Sequence, residues 1–158
     1  MNRRSISTLA VLALAASVVV FGAFSQAPPS PQRKAVHLPG SNPQLPFSDA
    51  ILSGNTLYLS GRIGLDPKTG QAPVDTDTEV HLLLDGVKAT LAAEGLTMDD
   101  LVYVQISCTD LTLFDKFNVT YRSYFTTKDL PARQFVGVAS LLRGGHFELQ
   151  SIAVRHPQ

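Results

Sequence analysis

The sequence predicts an α+β domain in which one β-sheet carries two helices on a single face. Three observations predict it. Two stretches place apolar residues at helical spacing, several short runs have strand composition or alternate with a period of two, and turn signals separate them in the order β-β-α-β-α-β-β. No internal repeat is visible.

Residues 50–52 and 56–60 flank Ser53-Gly54-Asn55, a turn signal that joins two strands as a hairpin. Asp66-Pro67-Lys68-Thr69-Gly70 is a second turn. Thr76 and Glu79 have capping-box spacing, each able to satisfy a free amide at a helix start. Val80, Leu83, Leu84, Val87 and Leu91 then form one apolar stripe, and Gly95 supplies the C-terminal stop. Residues 101–109 alternate as a strand, with Val102, Val104, Ile106 and Cys108 on one face. A second helix over 112–125 buries Phe114, Phe117, Tyr121 and Phe125. Strands over 133–139 and 147–154 close the chain, joined through Arg143-Gly144-Gly145. Two helices shield only one face of a sheet. Yet Leu149, Ser151 and Ala153 alternate with Glu148, Gln150, Ile152 and Val154, so both faces carry apolar groups. The second face is therefore expected to pack against other copies of the chain, most simply in a closed ring.

The domain is expected over residues 47–156, behind two segments of different character. Arg3 and Arg4 precede an uncharged apolar run over residues 9–24, and Ala23-Phe24-Ser25 offers small residues where a signal peptidase reads. Residues 1–25 thus have the layout of a secretory signal cleaved after Ser25, and the run is short for a membrane anchor of roughly 20 apolar residues. The protein is expected to be exported, periplasmic or secreted, with no stable membrane association after cleavage. Residues 26–46, with five prolines between Pro28 and Pro43, read as a Pro-rich linker.

Charge and composition exclude several function classes. Cleavage removes two arginines from 13 basic residues and none of the 13 acidic ones, leaving a net charge of −2. Such a chain has no electrostatic footprint for nucleic acid. The lone Cys108 cannot form an internal disulfide, and its place on a strand face favours a buried, inert thiol over a nucleophile. His37, His81, His146 and His156 are scattered without metal-ligand spacing, and no Gly-x-Ser-x-Gly elbow or phosphate-binding glycine loop is present. What remains is Arg133. Pro131, with no amide hydrogen and a fixed φ, suits the lead-in to a strand, which places Arg133 at or near the strand's first residue, where a cleft can open. There its planar fork of donors fits a carboxylate two bonds at a time; the local sequence alone also admits an ordinary surface ion pair.

The chain resembles the Rid family, the YjgF-type reactive intermediate deaminases also described as endoribonuclease L-PSP. Its pieces are Leu45-Pro46-Phe47-Ser48-Asp49-Ala50, Leu59-Ser60-Gly61-Arg62-Ile63, Phe117-Asn118-Val119-Thr120-Tyr121, Pro131-Ala132-Arg133 and Ile152-Ala153-Val154, in this order across the domain. The resemblance implies a chorismate-mutase-like sandwich, a homotrimer with ligand sites between subunits, and hydrolysis of 2-imino acids and their 2-enamine tautomers to 2-oxo acids and ammonia. It requires no cofactor and no metal. Carried over residue by residue, Arg133 matches the arginine that grips the substrate carboxylate, Gly61 a main-chain position lining the pocket, and Asn118 an asparagine of the second helix. Asn118 also heads a glycosylation sequon, a poor acceptor on a packed helix.

Three departures stand out against the family pattern. Phe47 replaces a tyrosine, Phe135 replaces a cysteine two residues after the arginine, and Gln150 replaces a glutamate that positions the attacking water. Glutamine orients a water through its carbonyl oxygen but takes no proton at neutral pH. Glu148 lies on the same strand face, two residues away. Arg133 and Gln150 are thus the candidate catalytic residues, and Arg133, Asn118, Gly61, Phe135 and Phe47 the candidate substrate contacts. The alternative is a non-catalytic trimer that binds small carboxylates.

Overall fold

The computed structural model describes residues 32–156, so the export signal read at residues 1–25 lies outside the described residues. In chain order the elements are β1 (Arg33–Val36), β2 (Ala50–Ser53), β3 (Thr56–Ile63), α1 (Thr76–Ala92), β4 (Leu101–Cys108), α2 (Phe114–Ser123), β5 (Ala132–Gly137) and β6 (Phe147–Val154). The strands form one six-stranded sheet in the order β1-β2-β3-β6-β4-β5. Every pairing is antiparallel except β4 with β5, which is parallel because α2 carries the chain back across the sheet between them. Both helices cover the same face, with α1 over β3 and β6 and α2 beside α1. The expected mixed sheet with two helices on one face is observed.

One strand was hidden in the segment read as Pro-rich linker. Residues 33–36 pair with β2 along its full length, from Arg33 opposite Ser53 to Val36 opposite Ala50. Only Val36 is buried, so β1 has no apolar alternation to announce it. Main-chain hydrogen bonds and the Lys34–Glu94 ion pair, at 2.8 Å, hold it instead.

The core lies between the sheet and the helices. Leu57 and Leu59 of β3, Val104, Ile106 and Cys108 of β4, and Phe147, Leu149 and Ala153 of β6 meet Leu83, Leu84, Val87 and Leu91 of α1 and Phe117 and Tyr121 of α2. Cys108 is fully buried, as its strand position requires. Val102 does not share its face. The β4–β6 register shifts between Leu101 and Tyr103, so Val102 is the extra residue of a bulge and is 41% exposed.

The start of α1 also differs from the capping box. Asp75 is the cap, accepting a hydrogen bond from the Thr78 amide. Glu79, expected to reach back to Thr76, points inward and is completely buried. Its carboxylate accepts from the main-chain amides of His146 at 2.7 Å and Phe147 at 3.0 Å, and meets His146 Nδ1 at 2.7 Å. A buried carboxylate needs partners, and three converge here. The second helix begins later than expected, because residues 111–113 form a separate 3-10 turn capped by Asp110.

A second polar knot fixes the segment ahead of β2. Asp49 accepts from the Leu38 amide and the Ser41 hydroxyl, and Arg62 Nη2 donates to it at 3.2 Å. The Arg62 stem lies where a Cβ on Gly86 would fall, which accounts for a glycine inside α1 despite a cost of about 1 kcal/mol relative to alanine. Burial alone would raise the Asp49 carboxyl. The hydrogen bonds from Ser41 and Leu38 and the Arg62 charge outweigh it and hold the group below its ordinary value. A depressed folded-state value means that this stabilisation is present above the unfolded value, about 3.9, and is lost as pH falls through the folded one. Asp49→Asn is expected to lower unfolding stability at pH 7 by about 1–3 kcal/mol. Urea titrations at pH 7 and pH 3 check this, because the gap between wild type and variant should shrink at the lower pH.

Candidate functional site

The residues singled out from the sequence fall into two groups on opposite faces of the sheet. Arg133 pairs with Val104 across the β4–β5 ladder, and paired residues share a face, so Arg133 and Phe135 point to the helix side. Gln150 pairs with Gln105 and points to the open side.

On the helix side, β5 is the edge strand and α2 lies against it. The Arg133 guanidinium carbon sits 5.0 Å from the Tyr121 ring centroid, 5.5 Å from Phe114 and 5.7 Å from Phe135. The rings brace one another: Phe135 meets Phe114 edge-on at 5.0 Å and Phe117 at 5.5 Å. Among the described residues no carboxylate pairs with Arg133. The guanidinium is thus half-buried against aromatic faces, which attract it, with its donor fork unspent. Asn118 lies four residues after Phe114 and three before Tyr121, on the helix edge from which both rings reach Arg133. Its Oδ1 and the Tyr121 hydroxyl are buried with no hydrogen-bond partner among the described residues. Burial pushes the Tyr121 hydroxyl up to about 12, against the opposing pull of Arg133, so it stays protonated and able to donate.

On the open side, Gly61, Gln105, Ser107, Glu148 and Gln150 line a polar hollow of about 190 Å³. The β3–β6 register breaks between Leu59 opposite Ser151 and Arg62 opposite Leu149, so Ser60 and Gly61 bulge opposite Gln150. A Cβ on Gly61 would collide with the Glu148 carboxylate, which occupies that space. Phe47 belongs to neither group; it sits in the loop before β2, 56% exposed. Arg133 and Phe135 are therefore brought together within one chain, with Asn118 on the same stretch of α2 as Phe114 and Tyr121. Gly61 and Gln150 share the other face, and Phe47 is apart from both.

Sequence reasoning assigned no ligand role to Tyr121 or Phe114, which it read only as buried helix positions, although Phe114 lies at the helix start and is 40% exposed, and did not see Gln105 or Ser107. Face parity of β4 against β6 would have found the last two, since Gln105 and Ser107 alternate with buried Val104, Ile106 and Cys108.

A family model described as Endoribonuclease L-PSP matches residues 39–155. A 2-iminobutanoate/2-iminopropanoate deaminase of Escherichia coli strain K12 is 38% identical over 112 residues, covering 70% of this chain and 88% of that protein. The chain belongs to the Rid family. A Bos taurus protein with the same description is 34% identical over 113 residues, 71% of this chain and 82% of that one. Among solved Rid structures, that of the yjgF gene product of E. coli superposes with a TM-score of 0.71 at 34% identity, covering 78% of this chain and 99% of that one.

Two glycines of this Rid domain make opposite demands. The Cβ of Gly61→Ala meets the far end of a flexible side chain, whereas that of Gly64→Ala meets the main-chain carbonyl of Glu79, which cannot swing aside. Gly61→Ala is expected to change stability by less than about 1 kcal/mol, and Gly64→Ala to cost several times more. Thermal melts of the two variants check the contrast.

Proposed function

We propose that the protein is a deaminase that hydrolyses 2-imino acids and their 2-enamine tautomers to 2-oxo acids and ammonia. The observation that carries this is the unpaired Arg133 guanidinium held against Phe114, Tyr121 and Phe135. Relatives described as 2-iminobutanoate/2-iminopropanoate deaminases support catalysis over carboxylate binding alone.

Arg133 takes the substrate carboxylate through two parallel hydrogen bonds, and the Tyr121 hydroxyl is free to add a third. Asn118 Oδ1, a buried acceptor without a partner, suits an N–H on the imine or on the departing ammonia. Water attacks C2 to give a carbinolamine, which collapses with release of ammonia. The rate gain comes from holding the carboxylate and the water in register rather than from a covalent intermediate. Phe135 and Phe114 narrow the recess, which favours small side chains on C2 such as those of 2-iminopropanoate and 2-iminobutanoate.

The active unit is a homotrimer with the site between subunits. Two observations support this. Arg133 and Gln150 lie on opposite faces of one sheet, so one ligand meets both only if a second copy supplies one of them. The open face also carries a row of Ile51, Tyr58, Ile152 and Tyr103, paired in register across four strands, with Tyr58 48% exposed. Covering such a row is what oligomeric contacts do. The mature protein acts outside the cytoplasm after loss of residues 1–25, a reading that rests on the basic start and apolar run of the sequence.

Arg133→Ala is expected to lower kcat/KM by roughly 10²-fold or more, the scale of two charge-assisted hydrogen bonds, with Arg133→Lys intermediate. The assay generates 2-iminopropanoate in situ and follows pyruvate or ammonia. A wild-type rate equal to the uncatalysed one overturns the proposal. Sedimentation should give three times the chain mass.

A further inference from the structure

Resting on the deaminase reading, we infer that Glu148 is the base that activates the attacking water, with Gln150 beside it as an orienting acceptor. The hollow holding Gln150 has five lining residues, and Glu148 is the only one among them that can take a proton.

Spacing along β6 argues against this role at first sight. Residues 148 and 150 are two apart on one strand face, and Glu148 pairs directly with Ile63 on β3 and Ser107 on β4. A side chain standing upright there would be about 7 Å from its neighbour on the same face. The bulge removes that separation. Ser60 and Gly61 together stand opposite Gln150, and Gly61 leaves a gap where any other residue would place a Cβ. The Glu148 Cγ, Cδ and Oε1 crowd that gap, so the carboxylate has moved along the strand from the level of Ile63 to the level of Gly61, beside Gln150. Gly61 thus leaves room for the side chain that lies over it. At about 190 Å³ the hollow admits water, and Gln105, Ser107 and Gln150 offer it donors and acceptors.

The chemistry balances without a further reactant. The water oxygen bonds to C2 as its proton passes to the Glu148 carboxylate, and the imine nitrogen takes up a proton from the medium. The carboxylic acid then protonates the amine while the carbinolamine hydroxyl loses its proton to the medium. The C–N bond breaks, and the 2-oxo acid and ammonia leave with the carboxylate restored.

The test compares the full-length wild type with Glu148→Gln, Gln150→Glu and the double exchange, following pyruvate from 2-iminopropanoate generated in situ. Glu148→Gln is expected to lower kcat by ~10²–10⁴-fold, to leave KM within about threefold, and to abolish the fall in kcat on acidification. The double exchange, which returns a carboxylate to the hollow, should recover at least tenfold of the loss. Titration with pyruvate should give the same Kd for wild type and Glu148→Gln. Wild-type kcat and pH dependence in Glu148→Gln would overturn the inference while leaving the deaminase reading standing. A matching loss of pyruvate binding would also overturn it, assigning Glu148 a structural role. A wild type that binds pyruvate but does not accelerate hydrolysis overturns the deaminase reading itself.

Discussion

An arginine held half-buried against aromatic faces, with no carboxylate partner among the described residues, sets the terms for the rest of this domain. Desolvating a guanidinium costs free energy, and an internal carboxylate would offset that cost while filling its donor fork. The chain uses aromatic faces instead. Phe114, Tyr121 and Phe135 present negative ring faces, worth about 0.5–2 kcal/mol for a half-buried cation, and none of them competes for the N–H groups. The rings in turn need fixed places. Phe117 supplies them, stacked on Tyr121 at 5.7 Å, meeting Phe147 at 4.9 Å and lying fully buried beneath both helix and sheet. The path from core to site therefore runs Phe147, Phe117, Phe135, Arg133. A core substitution on it is a site substitution as well.

The same economy of position appears at Glu79. A carboxylate at full burial is a liability unless saturated, and it clamps the amides of His146 and Phe147, where β6 begins. Anchoring that first residue sets the register of β6 against β3 and β4. That register decides which face Glu148 and Gln150 present. Gly64 allows the clamp, since a Cβ there would strike the Glu79 carbonyl. The polar hollow on one face and the hydrophobic core on the other thus share a single point of alignment.

How much of this was legible in the sequence follows from periodicity. The β2–β3 hairpin, both helices and β6 were readable because each carries an apolar pattern and a turn or cap at its ends. β1 was not, because a strand with one buried residue has no pattern, and its pairing is a main-chain matter. The Glu79 capping box failed because Asp75 stands one residue earlier and takes the cap, freeing Glu79 for the interior. Family motifs located Arg133, Asn118 and Phe135, and the fold sets Arg133 against Phe135. Glu148 and Gln150 were read on one strand face, but the lean of the carboxylate toward Gly61 was hidden for a different reason. A strand of period two keeps them apart, and only the bulge at Gly61, which no residue pattern on β3 announced, brings the carboxylate back.

Face parity finally decides what kind of site this can be. Within one chain a β-sheet is a barrier: a side chain on the helix face cannot share a small ligand with one on the open face. Arg133 lies at the sheet edge and the polar hollow near its middle on the far side, so no small ligand reaches both within one chain. The uncovered row of Ile51, Tyr58, Ile152 and Tyr103 adjoins the hollow on that same open face. Burying it against a second copy would bring an edge strand toward the hollow, so the driving force for assembly and the completion of the site would be one event. A substitution that weakens that apolar row should then lower activity without touching any residue of the chemistry.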